Sequence, residues 1–217
     1  MKDYCCIIFD LDGTLMDTSP GILNCIDYIV ARYNLVPPSA FEKRSFIGPP
    51  IEKSFQRHYG CTREFSLELA SAWRTAYKEK FLFEAEAYPG VYDLLRWLRG
   101  SGMKTAVATN KREDYTEVLL KRFDFWPLLD CVIGSDFSGS RTKADMIALC
   151  MNQLGTIGCG QCLMIGDTIG DMTAAHETGV DFLGVTYGFG FTKERRGADC
   201  WTADSCKGIQ DFLQCEF

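Results

Sequence analysis

Short runs of consecutive apolar residues recur along the chain and end at turn residues such as glycine and aspartate. Their apolar positions are continuous rather than alternating, which is typical of parallel strands buried on both faces. The runs predict five strands, at Cys5–Phe9, Thr105–Ala108, Cys131–Gly134, Cys162–Ile165 and Phe182–Val185. Amphipathic helices separate the strands, for example over about Lys143–Leu154. This alternation predicts an α/β fold with a doubly wound, Rossmann-like parallel sheet of five or more strands.

The segment between the first two predicted strands breaks this alternation. Residues 17–86 carry only helical patterns, with helices expected from Ser19 as the N-cap, near Ile51–Tyr59 and near Ser66–Lys80. A segment of about 70 residues is far longer than a crossover connection needs. We therefore expect two domains, an α/β core of residues 1–16 and 87–217 and an inserted all-helical domain of residues 17–86.

Composition narrows the possible partners. The 217-residue chain is 47% hydrophobic and 24% charged, as in ordinary globular proteins, and it has a net charge of −6 without a basic stripe. No apolar run reaches the roughly 20 residues that a membrane-spanning helix requires. We therefore expect no nucleic acid and no membrane as a partner, and a chain that is a monomer or a weak dimer.

The number and placement of the cysteines indicate the cellular compartment in which we expect the protein. Eleven cysteines without a recognisable secretory signal predict reduced thiols and a cytoplasmic protein. Most lie in apolar runs, where a thiol packs as a small core residue. Cys159 and Cys162 have the spacing of a redox motif, but they lead into a strand instead of opening a helix, and no second pair completes a zinc site. Chance spacing explains this pair better.

Carboxylates directly follow two of the predicted strands. Asp10 and Asp12 end the first strand, where Gly13 lets the chain turn sharply. Asp167 and Asp171 follow the fourth strand. In a parallel sheet the carboxyl ends of the strands share one edge, where ligands bind. Hard oxygen ligands of this kind suit Mg²⁺, which proteins hold through one or two carboxylates together with water and phosphate.

Polar and cationic residues follow the second and third predicted strands, so we expect them at the same edge of the sheet as the carboxylates. The second strand ends in Thr109, Asn110 and Lys111, which supply a hydroxyl, an amide and a cation. Lys143 begins the helix after the third strand, where a cation opposes the helix dipole and therefore needs a reason. An anionic partner would supply that reason.

Taken in order, these four segments resemble the four motifs of the haloacid dehalogenase superfamily, in its phosphatase branch. The resemblance spans the whole chain. Further segments resemble the phosphoglycolate phosphatase-like group with a helical cap, namely Asp17–Gly21, Ile47–Pro50, Tyr88–Val91 and Tyr187–Gly190. The third motif departs from the common pattern, because many members have Lys-Pro where this chain has Lys143 followed by Ala144.

The resemblance implies a role for each residue of the motifs. Asp10 would be the nucleophile that takes the phosphoryl group. Asp12 would protonate the leaving oxygen and then accept a proton from water. Thr109 and Asn110 would hold phosphoryl oxygens, and Lys143 would bind the same group and add positive charge to the catalytic site.

The cofactor that the resemblance implies is Mg²⁺. Asp10, Asp167 and the backbone carbonyl of Asp12 would hold the ion. Asp171 would orient the metal shell or Lys143. The resemblance thus implies a phosphoric monoester hydrolase that acts on a small phosphorylated metabolite, phosphoglycolate-like, through an aspartyl phosphate.

The substrate itself stays open at this point. Phosphoglycolate, pyrophosphate, nucleoside monophosphates and sugar phosphates all fit, and Arg44 is the best candidate in the inserted domain to meet a second anionic group. Two other functions also remain, a phosphoglucomutase-like phosphotransferase and a non-enzymatic metal-binding phosphoacceptor module. The Asp10/Asp12 pair counts against the second of these. The sequence contains no cysteine-phosphatase, histidine-phosphatase or P-loop motif.

Overall fold

The computed structural model describes residues 4–156, 162–191 and 200–215. The chain divides into two compact units: the first extends up to Asp17 and resumes at Ala87, and the second is Thr18–Glu86. Among the residues described, no helix combines the length and the apolar character that crossing a bilayer demands.

A parallel six-stranded sheet forms the centre of the first unit, which confirms the α/β prediction. In chain order the strands are β1 (Cys6–Phe9), β2 (Met16–Asp17), β3 (Glu86–Ala87), β4 (Lys104–Arg112), β5 (Cys131–Ser135), β6 (Cys162–Gly166), β7 (Asp181–Val185) and β8 (Trp201–Ala203). The order in the sheet is β5-β4-β1-β6-β7-β8, and β2 pairs with β3 separately. The sequence pattern does not predict β8, because only one of its three residues is buried.

Helices make up the second unit. They are α1 (Ser19–Arg32), α2 (Ala40–Arg44), α3 (Ile51–Tyr59) and α4 (Arg63–Ala76), with a π-helical turn at Tyr77–Phe81. The N-cap prediction for Ser19 is wrong: Thr18 holds the N-cap position without a side-chain capping bond, and Ser19 is already helical. The apolar pattern does not reveal α2, because none of its five residues is buried. A capping box between Ser39 and Glu42 starts this helix instead.

The remaining helices belong to the first unit. They are α5 (Val91–Gly100), α6 (Glu113–Arg122), α7 (Lys143–Leu154), α8 (Ile169–Glu177) and α9 (Cys206–Cys215), with a 3₁₀ turn at Trp126–Leu128. A capping box begins α7, where the Thr142 hydroxyl accepts from the backbone N–H of Asp145 and the Asp145 carboxylate accepts from that of Thr142. Because the box fixes the start of the helix, Lys143 occupies its first position.

One cluster in the core of the first unit contains four buried cysteines. Cys6, Cys131, Cys150 and Cys162 lie in one cluster with the aliphatic side chains of the strands and of α7. A thiol in such surroundings packs as a small apolar group. Cys159, the other half of the Cys-x-x-Cys pair, lies outside the described residues.

Replacing Ile8 by alanine should lower the free energy of unfolding by about 2–5 kcal/mol, because a fully buried side chain leaves a cavity. Ile8→Val should cost only about 0.5–1.5 kcal/mol. The control is Val118→Ala on α6, where the side chain is 45% exposed and the change should stay within about 0.5 kcal/mol. Urea denaturation followed by circular dichroism measures all three. Equal losses for Ile8→Ala and Val118→Ala would contradict the assignment of β1 to the core.

Candidate active site

The carboxyl ends of β4, β1 and β6 meet at one edge of the sheet, because these strands are parallel neighbours. Phe9, the last residue of β1, pairs with Val107 in β4 and with Ile165 in β6. The backbone N–H of Asp10 then donates to the carbonyl of Ile165 at 2.9 Å. Asp10 therefore lies beside the point where β6 continues into Asp167.

Lys143 bridges two of the carboxylates. Its Nζ lies 2.8 Å from Asp10 Oδ1 and 2.8 Å from Asp171 Oδ1, and it donates to the carbonyl of Ala108 at 3.0 Å. Its side chain is only 8% exposed. Burial disfavours the charge on Lys143, but Asp10 and Asp171 outweigh burial and raise its pKa above the usual value. The cation at the start of α7 is thus stabilised by two carboxylates.

The carboxylate of Asp171 is fixed by hydrogen bonds from Thr168, the N-cap residue of the same helix. The hydroxyl of Thr168 donates to Asp171 Oδ2 at 2.6 Å, and the Thr168 backbone N–H donates to the same oxygen at 3.0 Å. This capping box starts α8 and leaves Oδ1 for Lys143. Asp171 therefore anchors the helix and orients the lysine.

Three buried carboxylates lie close enough to share a cation. Asp10, Asp167 and Asp171 each offer one oxygen within 4.8 Å of the others. Burial raises the pKa of Asp10 to about 6, and Lys143 offsets only part of that shift. Burial, and next the charge of Asp10, raises the pKa of Asp167 to about 7. Both shifts arise mainly from burial, which disfavours the charged carboxylates, and the neighbouring carboxylates add to them.

One oxygen of Asp167 is fixed and the other is not. The backbone N–H of Phe189 donates to Oδ2 at 2.6 Å. Oδ1 is buried and has no hydrogen-bond partner among the described residues. A buried carboxylate oxygen without a donor is costly unless a cation meets it. The arrangement therefore fits a ligand oxygen.

Glycines leave the room that this carboxylate needs. At Gly13, whose φ is +85°, an added Cβ would lie 2.3 Å from Asp167 Oδ2. At Gly188 an added Cβ would lie 2.5 Å from Asp167 Cβ. Any side chain at either position would displace Asp167, so the two glycines set its place.

The charge balance of the site fits a divalent cation. Four aspartates and two lysines are joined here by ion pairs or by their shared oxygen cluster. With all six side chains ionised, two negative charges remain, which is the charge that one divalent cation neutralises. The side-chain atoms that could bind such a cation are all carboxylate oxygens, the ligand type that Mg²⁺ and Ca²⁺ prefer.

Asp12, the second acid after β1, pairs with Lys111, which is not among the predicted site residues. Lys111 Nζ lies 3.0 Å from Asp12 Oδ1 and 3.1 Å from Oδ2. The Lys111 side chain is 6% exposed and that of Asp12 is 24% exposed. The sequence feature that could have identified Lys111 as a site residue is its position near the end of β4, two residues after Thr109.

The other predicted site residues lie in different settings. Thr109 is buried at the same edge, and its hydroxyl accepts from the backbone N–H of Lys111 at 3.2 Å. Asn110 is exposed beside it. Arg44 is the last residue of α2 in the second unit and is exposed there, so its role toward a substrate stays a prediction.

Comparison with known proteins identifies relatives of the chain. The family model described as haloacid dehalogenase-like hydrolase matches residues 7–185. A 5′-nucleotidase from Pseudomonas aeruginosa is 34% identical over 191 residues, covering 88% of this chain and 86% of the relative. Phosphoglycolate phosphatase 1 from the same organism is 30% identical over 191 residues, covering 84% and 70%.

Solved structures agree with these relatives. A haloacid dehalogenase-like family hydrolase from Streptococcus pneumoniae superposes with a TM-score of 0.89 at 31% identity, covering 99% of this chain and 100% of that chain. The family resemblance that the four sequence motifs carry is thereby confirmed.

Mg²⁺ should raise the melting temperature more at pH 8 than at pH 5. A carboxyl whose pKa is raised by folding stabilises the fold at low pH, and this contribution is lost as the pH rises from about 4 through its folded pKa of about 6 for Asp10 or about 7 for Asp167. Deprotonation restores the repulsion but frees the metal ligands. Thermal scans with and without Mg²⁺ at both pH values measure the difference.

Asp167→Asn should lose most of this Mg²⁺-dependent shift at pH 8. The matched control is Asp93→Asn, whose carboxylate is 88% exposed on α5 and should leave the shift unchanged. An Asp167→Asn variant that Mg²⁺ stabilises as much as the wild type would contradict the metal assignment.

Proposed function

This chain belongs to the haloacid dehalogenase-like hydrolase family and is a phosphoric monoester hydrolase, and we propose that it uses Mg²⁺ and a covalent aspartyl phosphate on Asp10. The observation that carries the proposal is the convergence of Asp10, Asp167, Asp171 and Lys143 at one sheet edge. A carboxylate nucleophile, a metal-binding oxygen cluster and a buried cation are the parts that phosphoryl transfer needs.

The residues proposed to hold Mg²⁺ are Asp10, Asp167 and the backbone carbonyl of Asp12, with Asp171 beside them. When bound, the ion offsets the repulsion between the carboxylate nucleophile and the phosphate and polarises the phosphoryl oxygens. Oδ1 of Asp167, which has no hydrogen-bond partner within residues 4–156, 162–191 and 200–215, supports this set. The fixed Oδ2 supports it further, because one held oxygen aligns the other.

Two chemical steps follow from these positions. An Asp10 carboxylate oxygen attacks phosphorus, the bond to the leaving oxygen breaks, and that oxygen takes a proton from Asp12. Water then attacks the phosphorus of phosphorylated Asp10 and gives a proton to Asp12. The phosphorus–oxygen bond to Asp10 breaks, which releases phosphate and restores both carboxyl groups.

Lys143 and the end of β4 are proposed to hold the transferring group. Lys143 already contacts Asp10, so its charge lies where negative charge develops during transfer. The Thr109 hydroxyl and the Asn110 amide are proposed as donors to phosphoryl oxygens. The proton carried by Asp12 separates this hydrolase from a module that merely stores phosphate, because storage needs no acid at this position.

The substrate is proposed to be a small phosphate monoester. The relatives name two classes to compare first, phosphoglycolate and nucleoside 5′-monophosphates. We propose that the helical unit Thr18–Glu86 acts as the substrate-selecting cap and that Arg44 meets a second anionic group. Release of inorganic phosphate from a panel of phosphorylated metabolites, with Arg44→Ala as the comparison, tests this. A phosphoglucomutase-like enzyme would instead return the phosphate to the sugar.

Asp10→Asn and Asp12→Asn should fail in different ways. The amide in Asp10→Asn is a poor nucleophile, so neither turnover nor a covalent adduct should form. With p-nitrophenyl phosphate the leaving group needs little proton donation, so Asp12→Asn should still phosphorylate Asp10. It should then stall, because water lacks a base, and turnover should fall roughly 10²–10⁴-fold. Mass spectrometry after acid quench should find one phosphoryl group on the peptide bearing Asp10. Normal turnover of Asp12→Asn without an adduct would overturn the acid–base role.

Lys143→Ala should lower kcat/KM for p-nitrophenyl phosphate by roughly 10²–10³-fold, as loss of a transition-state donor does. The matched control is Lys104→Ala on β4, whose lysine is 56% exposed and lies 3.7 Å from Asp130. This variant should stay within about twofold of the wild type, because a surface ion pair contributes little. Steady-state kinetics of both variants measure the contrast, and similar losses in the two would contradict the placement of Lys143 in the site.

A further inference from the structure

The ion pair between Lys111 and Asp12 joins two segments that are 99 residues apart in sequence. The ammonium lies within hydrogen-bond distance of both carboxylate oxygens, at 3.0 and 3.1 Å. Contact with both oxygens restricts rotation of the carboxylate as well as its position. The Lys111 side chain is 6% exposed, so the lysine reaches this carboxylate along a buried path.

The backbone of Lys111 is itself held on both sides. Its N–H donates to the hydroxyl of Thr109 at 3.2 Å, and its carbonyl accepts from the hydroxyl of Thr116 at 3.2 Å. Both threonines are buried. The lysine is thus supported by the strand end before it and by α6 after it. A side chain whose backbone is fixed in this way can position the residue that it contacts, here Asp12.

The pair leaves Asp12 able to act. An ionised carboxylate has about four acceptor sites, and one ammonium in contact with both oxygens occupies only part of them. The side chain of Asp12 is also more exposed than that of Lys111, at 24% against 6%. A leaving oxygen or a water molecule can therefore still reach the carboxylate while the lysine holds it.

The two site lysines contact different carboxylates. Lys143 contacts Asp10 and Asp171, the nucleophile and its helix anchor. Lys111 contacts Asp12, the proposed acid and base. The proposed nucleophile and the proposed proton-transfer group are therefore held by different lysines. Lys143 belongs to α7 and Lys111 belongs to β4.

We propose that Lys111 is a positioning residue that holds the carboxylate of Asp12 in the direction needed for proton transfer. This inference rests on the proposed acid–base role of Asp12. Because Lys111 acts through Asp12, its removal should slow the step that depends most on that carboxylate, the attack of water on phosphorylated Asp10.

A double-mutant cycle tests the proposal. The variants are Lys111→Met, which keeps the apolar stem, Asp12→Asn, and the combination of the two. Each is phosphorylated with p-nitrophenyl phosphate and Mg²⁺, and the loss of the phosphoryl mass from Asp10 is followed by mass spectrometry after acid quench. Lys111→Arg tests rescue by the conservative change. Lys104→Met on the same strand is the matched control, and thermal scans check that each variant folds.

The expected result is a dephosphorylation rate lowered roughly 10- to 100-fold in Lys111→Met, as loss of a group that orients a ligand or acid does. The kcat and the KM should fall together, with kcat/KM little changed, because slow dephosphorylation makes phosphorylated Asp10 accumulate. Lys111→Arg should recover most of the rate. In the Asp12→Asn background, Lys111→Met should cost less than about twofold, because coupled residues are not additive.

Two results would overturn the proposal while leaving the proposed function intact. The first is an equal loss from Lys111→Met in both backgrounds. The second is a raised KM at unchanged kcat, which would make Lys111 a substrate contact. If instead Asp12→Asn dephosphorylated as fast as the wild type, the acid–base role itself would fall, and the positioning role with it.

Discussion

Repulsion between carboxylates that are gathered at one edge of a parallel sheet is the constraint on which the rest of this site depends. Two like charges 4 Å apart repel by about 4 kcal/mol at an effective dielectric constant of ~20. Asp10, Asp167 and Asp171 place oxygens within 4.8 Å of one another while they are buried. Burial is the main cause of the raised pKa values of Asp10 and Asp167, and repulsion from the neighbouring carboxylates adds to it. In our proposal a divalent cation and Lys143 offset this repulsion, so metal binding and catalysis would depend on the same electrostatic imbalance.

The scaffold around Asp167 shows how the fold maintains so costly an arrangement. The Phe189 N–H fixes one oxygen, and Gly13 and Gly188 permit the backbone to approach within distances that no side chain would allow. These contacts come from the loops after β1 and β7, so they form only when the sheet has assembled. The position of the Asp167 carboxylate is thus a property of the assembled sheet and not of its own segment.

Lys143 and Lys111 contact different carboxylates, and this difference matches two different chemical requirements of the proposed reaction. A nucleophile must stay anionic and close to the metal, whereas the acid and base must exchange a proton in each half of the reaction. In our proposal Lys143, which contacts both Asp10 and Asp171, serves the first requirement. Lys111 serves the second in our proposal, because its ammonium contacts both carboxylate oxygens of Asp12.

The sequence by itself determined five strands of the parallel sheet and the acids at the strand ends, because apolar runs and turn residues are local signals. It missed the short helix α2 and the short strands β2, β3 and β8, where few or no residues are buried and the apolar pattern is absent. It placed the N-cap of α1 at Ser19 and not at Thr18, since adjacent hydroxyl residues give the same signal. Only the tertiary structure decided which lysine meets which carboxylate. Lys111 and Asp12 are 99 residues apart, and their contact depends on the neighbouring positions of β1 and β4 in the sheet, which no local pattern encodes.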